Sequence, residues 1–201
     1  MSCRRFAPLV LALVLAAPSL AQSPPTREPT KPPAAAAVPG SPAPLQPGDA
    51  FGEAVNLKPK TILFLKGQTT WDAAFDTLVD SFKSLNASLA KQGITPSGPP
   101  MAIYTQIDET GFQFQAAVPV AAAPTKPLEG GVAAGETPTG KALKFVHRGS
   151  YDAMNTTYEA LTNYIEDKGL EARDLFVEEY LTDPVKSDPN ALVVNVFVPI
   201  K

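Results

Sequence analysis

One pattern occurs twice in this chain: an apolar strand, an amphipathic helix that ends at a glycine, and a hairpin of two strands. The first copy lies at residues 59–120 and the second at residues 132–201. The helices end at Gly93 and Gly169, as expected for left-handed caps. The predicted strands lie at residues 61–65, 101–107, 112–120, 141–147, 175–181 and 191–200. Each copy therefore reads as a βαββ unit.

Two βαββ units predict an α+β fold. Each unit exposes an apolar sheet face, so we expect the two to join their strands in one antiparallel sheet about a pseudo-twofold axis. Both helices are expected on one face of this sheet. The other face is then left as a cleft between the repeats, which is where a ligand pocket is expected.

The residue inventory excludes several kinds of site. The only cysteine is Cys3 and the only histidine is His147, so a disulfide framework or a Cys/His zinc site is not expected. The formal charge of −3 and the pI near 5.2 argue against a protein that binds the phosphate backbone of nucleic acids. No metal and no cofactor is predicted.

The first 50 residues do not follow the βαββ pattern. Residues 1–21 have a basic start at Arg4 and Arg5, a short apolar run and small residues at the end, which predicts a cleaved secretory signal peptide. Residues 22–50 hold nine of the 22 prolines and predict a disordered Pro/Ala-rich linker before a domain at 51–201. We therefore expect a protein of the periplasm, or a secreted one, that is not inserted in a membrane after cleavage.

Strand alternation assigns the side chains of the last two predicted strands to faces. Glu178 and Tyr180 share one face, and Val177 and Glu179 share the other. The Val177 face is the more apolar, so we expect it under the helices and the Glu178 face in the cleft. Glu179 fits poorly on a core face and is expected near a sheet edge or beside a lysine.

The predicted ligand-binding set combines aromatic rings, carboxamides and one acid. Aromatic faces attract cations and flat rings, and a buried carboxylate can pair with a cationic group. The set comprises Glu178, Tyr180, Tyr104, Asn195, Phe197, Gln115, Trp71 and Tyr151.

Three segments of the second half carry a family resemblance. They are His147-Arg148-Gly149-Ser150-Tyr151, Glu178-Glu179-Tyr180-Leu181-Thr182-Asp183-Pro184 and Val196-Phe197-Val198-Pro199-Ile200. In order and spacing they resemble the GyrI-like small-molecule-binding domain, which occurs as the effector-binding part of many AraC-type and multidrug-sensing regulators. The resemblance implies the duplicated βαββ fold and a small-molecule ligand. A signal peptide and linker stand where such regulators have a helix-turn-helix, so no nucleic-acid partner is expected.

Three functions are compatible with these residues. The first is periplasmic binding of an amphipathic, cationic aromatic compound, without turnover. The second is hydrolysis, because relatives of the resembled family include enzymes that use a pocket glutamate, and Glu178 would then be the general acid/base. The third is haem binding, because the SOUL family has a similar fold and His147 is the one available imidazole. The oligomeric state is left open.

Overall fold

An eight-stranded antiparallel sheet with two helices on one face makes up the protein over residues 42–201, the part that the structure, a computed structural model, describes. The strands are β1 Phe51–Leu57, β2 Thr61–Thr70, β3 Met101–Ile107, β4 Gly111–Pro119, β5 Ala133–Glu136, β6 Gly140–Gly149, β7 Phe176–Tyr180 and β8 Leu192–Pro199. The helices are α1 Ala74–Lys91 and α2 Met154–Asp167. The α+β prediction is confirmed. The predicted signal peptide and most of the predicted linker lie outside the described residues.

The two helices form where the apolar spacing predicts them. One face of α1 is buried through Leu78, Phe82, Leu85 and Leu89, and one face of α2 through Met154, Leu161 and Ile165. Each helix is followed by a glycine with a positive φ, 68° at Gly93 and 62° at Gly169, a conformation that costs glycine little. Neither helix is long and apolar enough to span a membrane.

The strand order is β1-β6-β8-β7-β3-β4-β2-β5, with antiparallel pairing throughout. Read outward from the central β3–β7 pair, each side has the two strands of a hairpin, then the strand that precedes the helix, then an edge strand. This order is what two joined βαββ units would produce. The pseudo-twofold duplication itself stays a prediction.

The sheet is curled, because a short connection joins strands that are far apart in it. Strands β1 and β2 are separated by six strand spacings, which is about 29 Å in a flat sheet. The chain from Leu57 to Thr61 can span only about 14 Å. The end of this connection is held to the far edge of the sheet, where the amide of Lys60 donates to Thr137 Oγ1 at 3.0 Å. The two edges therefore approach each other over the helix-free face and make it concave.

Two strands were not foreseen, and both lie at sheet edges. Strand β1 has only two half-buried apolar residues, Val55 and Leu57, and the four residues of β5 are Ala-Ala-Gly-Glu. Glu53 interrupts the apolar alternation of β1, and β5 has no β-branched or aromatic residue, so neither segment clearly predicts a strand. Their pairing with β6 and β2 is decided by the tertiary fold.

The predicted alternation along the strands is correct, but the prediction that the Val177 face packs under the helices is wrong. Tyr104 and Tyr180 are buried in one cluster with Phe82 of α1 and Leu161 of α2. The Glu178 face therefore packs under the helices. The other face is covered by the curled edges and is also apolar, so apolar content does not identify the helix side. That face carries Ile62, Phe64, Met101, Ile103, Ala117 and Val177.

The register between β7 and β8 corrects a second expectation. Glu178 lies directly opposite Val196, and Glu179 opposite Asn195. Directly opposed residues in an antiparallel pair share a face. Asn195 and Phe197 therefore lie on the concave face and not beside Glu178. The sequence gives the alternation within each strand, but the pairing register is set by the fold.

The last residues of the predicted linker are bonded to the domain. Asp49 accepts two hydrogen bonds from the Arg148 guanidinium, at 2.6 and 2.8 Å, and the amide of Ala43 donates to the Arg148 carbonyl at 2.7 Å. The hydrogen bonds from Arg148 lower the pKa of the Asp49 carboxyl to about 2. Residues 43–50 of the predicted linker are therefore hydrogen-bonded to the domain at two points, while the bounds of the domain stay a prediction.

We expect Arg148→Lys to release this segment, because a lysine ammonium cannot make the paired contact to Asp49. Hydrogen exchange of the Ala43 amide should accelerate several-fold, with earlier protease cleavage between residues 42 and 50. The matched control is Arg173→Lys, an exposed arginine that makes no ion pair within residues 42–201. Equal exchange rates in the two variants would contradict this role for the ion pair.

Candidate functional site

A groove of about 1020 Å³ lies on the helix-bearing face. One wall is the turn of 3-10 helix that precedes α1, which contributes Trp71, and the other is the first part of α2 with the turn before it. Strands β3 and β7 supply Tyr104, Phe176 and Glu178 to the lining. The groove is large enough for a drug-sized molecule.

The carboxylate of Glu178 lies at the base of this groove and is fully buried. Its Oε2 accepts hydrogen bonds from the hydroxyls of Tyr104 at 2.7 Å and Tyr180 at 2.6 Å. Its Oε1 accepts a hydrogen bond from Tyr158 at 2.8 Å. The hydroxyl of Tyr151 lies 3.4 Å from that of Tyr104 and extends the network toward the half-buried wall of the groove. Three tyrosines from two strands and one helix therefore hold one acid.

Burial raises the pKa of Glu178, because removing the carboxylate from water disfavours its charged form. The hydrogen bonds from the three tyrosines oppose this increase without cancelling it. Burial and the charge of Glu178 together raise the pKa values of Tyr104, Tyr158 and Tyr180, so these hydroxyls keep their protons and act as donors. The acid can therefore gain or lose a proton while its neighbours stay neutral.

The charged side chains that line the groove are all acidic. Asp72, Asp152 and Glu159 lie around Glu178, and no Lys or Arg in residues 42–201 lines the groove. The walls are aromatic: Tyr151 stacks on Phe75 with ring centroids 4.8 Å apart, an arrangement that fixes its ring plane. A negative potential between aromatic surfaces favours a cation with a large apolar body.

Only half of the predicted ligand-binding set lies in this groove. Trp71, Tyr104, Tyr151 and Glu178 line it. Tyr180 does not line the groove. Its ring contacts Phe82 in the core, and its hydroxyl donates a hydrogen bond to the Glu178 carboxylate.

The other three predicted residues lie on the opposite face of the sheet. Asn195 and Phe197 line a separate concavity there. Gln115 is on the same side, because it lies directly opposite Ile103, which belongs to that face. The sequence alone does not reveal the pairing register between neighbouring strands, and for that reason the prediction that these three residues lie beside Glu178 is wrong.

Glu179 points away from the groove, as the alternation predicts. Its Oε1 pairs with Lys60 Nζ at 2.9 Å and its Oε2 accepts a hydrogen bond from Asn195 Nδ2 at 3.0 Å. The expected lysine partner is thus present. Consecutive glutamates on β7 serve opposite faces of the sheet.

The predicted set omits two aromatic residues of the groove, Tyr158 and Phe176. Their rings meet edge to face, 5.4 Å apart, beside the Glu178 carboxylate. Tyr158 occupies an apolar position of α2, and a tyrosine on a buried helix face usually needs a polar partner for its hydroxyl. That requirement was the available signal, and the partner is Glu178.

His147 is buried and uses both ring nitrogens in hydrogen bonds. Nδ1 lies 2.7 Å from Thr157 Oγ1, and Nε2 lies 3.0 Å from the carbonyl oxygen of Ser150. Burial lowers the pKa of this imidazole, so it is neutral near neutral pH. Axial ligation of haem would break one of these bonds. Within residues 42–201 there is also no cluster of three His, Cys, Asp or Glu side chains that could hold a metal ion.

Comparison with known families now identifies the domain. The GyrI-like small molecule binding domain matches residues 53–201. The chain belongs to the GyrI-like family. This confirms the predicted resemblance and supports a small molecule as the ligand of the GyrI-like domain. No curated protein matches the sequence significantly.

Three solved proteins share the fold at low identity. EcmrR, in the EcmrR–DNA complex of EcmrR-RPo, is 16% identical with a TM-score of 0.63; the alignment covers 75% of this chain and 57% of that one. The EcmrR C-terminal domain alone also has a TM-score of 0.63 at 16% identity, over 76% of this chain and 98% of that one.

The other two proteins are slightly less similar. SAV2435 bound to tetraphenylphosphonium is 13% identical, with a TM-score of 0.53 over 75% of this chain and 94% of that one. A hydrolase from Listeria innocua is 16% identical, with a TM-score of 0.53 over 76% of this chain and 93% of that one. At these identities the likeness concerns the fold.

We expect Glu178 to make the stability of the GyrI-like domain fall as pH rises. Because its pKa is raised by folding, the stability it contributes is present below the unfolded value of about 4.5 and is lost as pH passes the folded pKa. Each unit of that increase costs about 1.4 kcal/mol of unfolding free energy at high pH. Glu178→Gln removes this term. Urea unfolding of both proteins at pH 4.5 and pH 8 measures it.

His147 also makes the stability of the domain depend on pH. Because the pKa of His147 is lowered, its contribution to stability is lost as pH drops below about 6.5, whereas the contribution of Glu178 is lost as pH rises. His147 is present in both proteins, so its contribution cancels in the difference between them. The unfolding free energy of the variant minus that of wild type should therefore increase from pH 4.5 to pH 8. A difference that does not change with pH would show that the pKa of Glu178 is not raised.

Proposed function

We propose that this GyrI-like domain binds an amphipathic cation that carries aromatic rings, in the groove between its helices. The observation that carries the proposal is the buried Glu178 carboxylate at the base of an aromatic groove, whose charged lining residues within 42–201 are all acidic. An ionised Glu178 pairs with the cation, and the rings of Tyr151 and Trp71 cover its apolar body.

The tyrosines prepare the carboxylate for such a ligand. They donate to Glu178 before any ligand arrives, so the carboxylate needs no reorganisation when a cation approaches. A cation then supplies the opposite charge that the buried acid lacks, because the groove lining contains no Lys or Arg in residues 42–201. Neutral or anionic compounds of the same shape gain no such contribution. The structure of SAV2435 with tetraphenylphosphonium is an example of this ligand chemistry on a similar fold.

Export is the second part of the proposal. The predicted signal peptide at residues 1–21 and the Pro/Ala-rich segment after it would place the domain in the periplasm or outside the cell. There it would sequester or present its ligand without contact with nucleic acid. The proposed role is therefore that of a small-molecule-binding protein.

Tetraphenylphosphonium is a suitable probe of the proposed site. Its affinity should fall as pH drops through the raised pKa of Glu178, because protonation removes the charge that pairs with the cation. Glu178→Gln should weaken binding about tenfold to a hundredfold, since a charge-assisted contact contributes on the order of 1.5–3 kcal/mol. The variant should also lose the pH dependence. Titration calorimetry between pH 5 and pH 8 measures both effects.

The matched control is Glu179→Gln, which removes the neighbouring carboxylate on the opposite face of the same strand. It should bind tetraphenylphosphonium within about twofold of wild type. Equal losses in the two variants would mean that net charge and not the groove attracts the cation. Unchanged affinity in Glu178→Gln would exclude the carboxylate as the recognition group.

Hydrolysis is a second candidate function, favoured by the raised pKa of Glu178 and by the fold shared with the Listeria innocua hydrolase. A carboxyl whose pKa is raised keeps its proton to a higher pH than an exposed one, and in that form it can act as a general acid toward a bound compound. Mass analysis of hydrolysable compounds after incubation decides between the two. Water addition that is lost in Glu178→Gln indicates hydrolysis, and unchanged mass indicates binding.

A further inference from the structure

A second cavity, of about 390 Å³, lies on the concave face of the sheet. Its base consists of β3, β7 and β8, which contribute Met101, Val177 and Phe197. The end of β1 and the crossing from β1 to β2 wall it on one side, and Thr137 after β5 on the other. The curling of the sheet forms this cavity, which is independent of the groove between the helices.

Asn195 makes the cavity more than an apolar hollow. The side chain lines it and is 5% exposed, and its Nδ2 donates to Glu179 Oε2 at 3.0 Å. That bond fixes the orientation of the amide, because the reverse orientation would set two acceptors against each other. No donor in residues 42–201 reaches the buried Oδ1 of Asn195. An unpaired buried carbonyl is unfavourable, so a donor brought by a ligand would recover free energy.

The charged groups around this cavity are mainly basic. Lys58, Lys60 and Lys144 line it with one acid, Glu179. Glu179 already pairs with Lys60, while Lys58 and Lys144 make no ion pair within residues 42–201. Two lysines without an ion pair in residues 42–201 therefore line the cavity beside its apolar base. The groove on the other face has the opposite charge.

We propose that the concave cavity is a second ligand site, which binds a small amphipathic anion that carries a hydrogen-bond donor. The apolar body lies on Met101, Val177 and Phe197, and the anionic group meets Lys58 and Lys144. The donor, an N–H or O–H, pairs with Oδ1 of Asn195. The sheet separates this site from Glu178, so the domain binds two ligands of opposite charge on its two faces.

A fluorescent probe with these three properties is 2-anilinonaphthalene-6-sulfonate, which has an apolar body, a sulfonate and an N–H. The double variant Lys58→Gln/Lys144→Gln should bind it about tenfold or more weakly, because both charge-assisted contacts are removed. The matched control is Lys83→Gln/Lys91→Gln on α1, with the same change in net charge away from the cavity. It should bind within about twofold of wild type. Equal affinities in the two variants would overturn the proposal.

Asn195→Leu tests the donor contact separately. Wild type should bind the anilino probe several-fold more tightly than the phenoxy analogue, in which oxygen replaces the N–H. In Asn195→Leu the two probes should bind equally, and circular dichroism should show an unchanged fold. A preference that persists in the variant would remove Asn195 from the site. Lys58 and Lys144 are unchanged in that variant, so the charge contribution is measured independently.

Competition distinguishes the second site from the groove. Tetraphenylphosphonium should not displace the anilino probe, and Glu178→Gln should bind the probe with wild-type affinity. Displacement, or a loss in Glu178→Gln, would show that the probe occupies the groove and would overturn the second site. Failure of tetraphenylphosphonium to bind at all would instead concern the proposed function alone.

Discussion

The burial of one carboxylate is the constraint on which the helix-bearing side of this protein depends. Glu178 has no access to water, so its polar atoms must find partners inside the fold. The partners are tyrosines of β3, β7 and α2, and their bonds fasten the helix to the sheet as well as satisfying the acid. A structural requirement and a recognition site thus use the same atoms. The raised pKa shows that the acid is only partly compensated.

The second constraint is the short connection from β1 to β2. Because it cannot reach across a flat sheet, the two edges must curl toward each other over the helix-free face. This curvature covers a second apolar layer and creates the concave cavity. Neighbouring residues of β7 then face different environments: Glu178 is held by tyrosines, and Glu179 by Lys60 and Asn195.

The hydrophobic periodicity and the residues that end helices and strands predicted most of the fold. Helical spacing, the glycines at Gly93 and Gly169 and the paired apolar runs located both helices and six of the strands. The edge strands β1 and β5 were missed because their sequences have little intrinsic strand preference. Their pairing depends on residues distant in the chain.

The candidate site was predicted only in part, again because some of its contacts depend on residues that are distant in the chain. Alternation along one strand correctly separated Glu178 from Glu179, because that relation is local. It could not relate Asn195 and Phe197 to Glu178, since that needs the register between β7 and β8. It also could not show that both faces are covered, and so the helix side was assigned wrongly. Tyr158 was missed because its partner lies 20 residues away in sequence.

The central claim is that the buried Glu178 carboxylate recognises a cation. A comparison of two ligands with the same shape and opposite charge tests it most directly. Tetraphenylphosphonium and tetraphenylborate have nearly the same size and opposite charge, so they should differ in the groove only through Glu178 and its acidic surroundings. Proton NMR titration of the tyrosine rings reports on the groove, because Tyr104, Tyr151 and Tyr158 line it. The account predicts saturable shifts of these ring signals with the phosphonium and none with the borate at the same concentrations. Similar shifts with both ions would contradict recognition by the buried carboxylate.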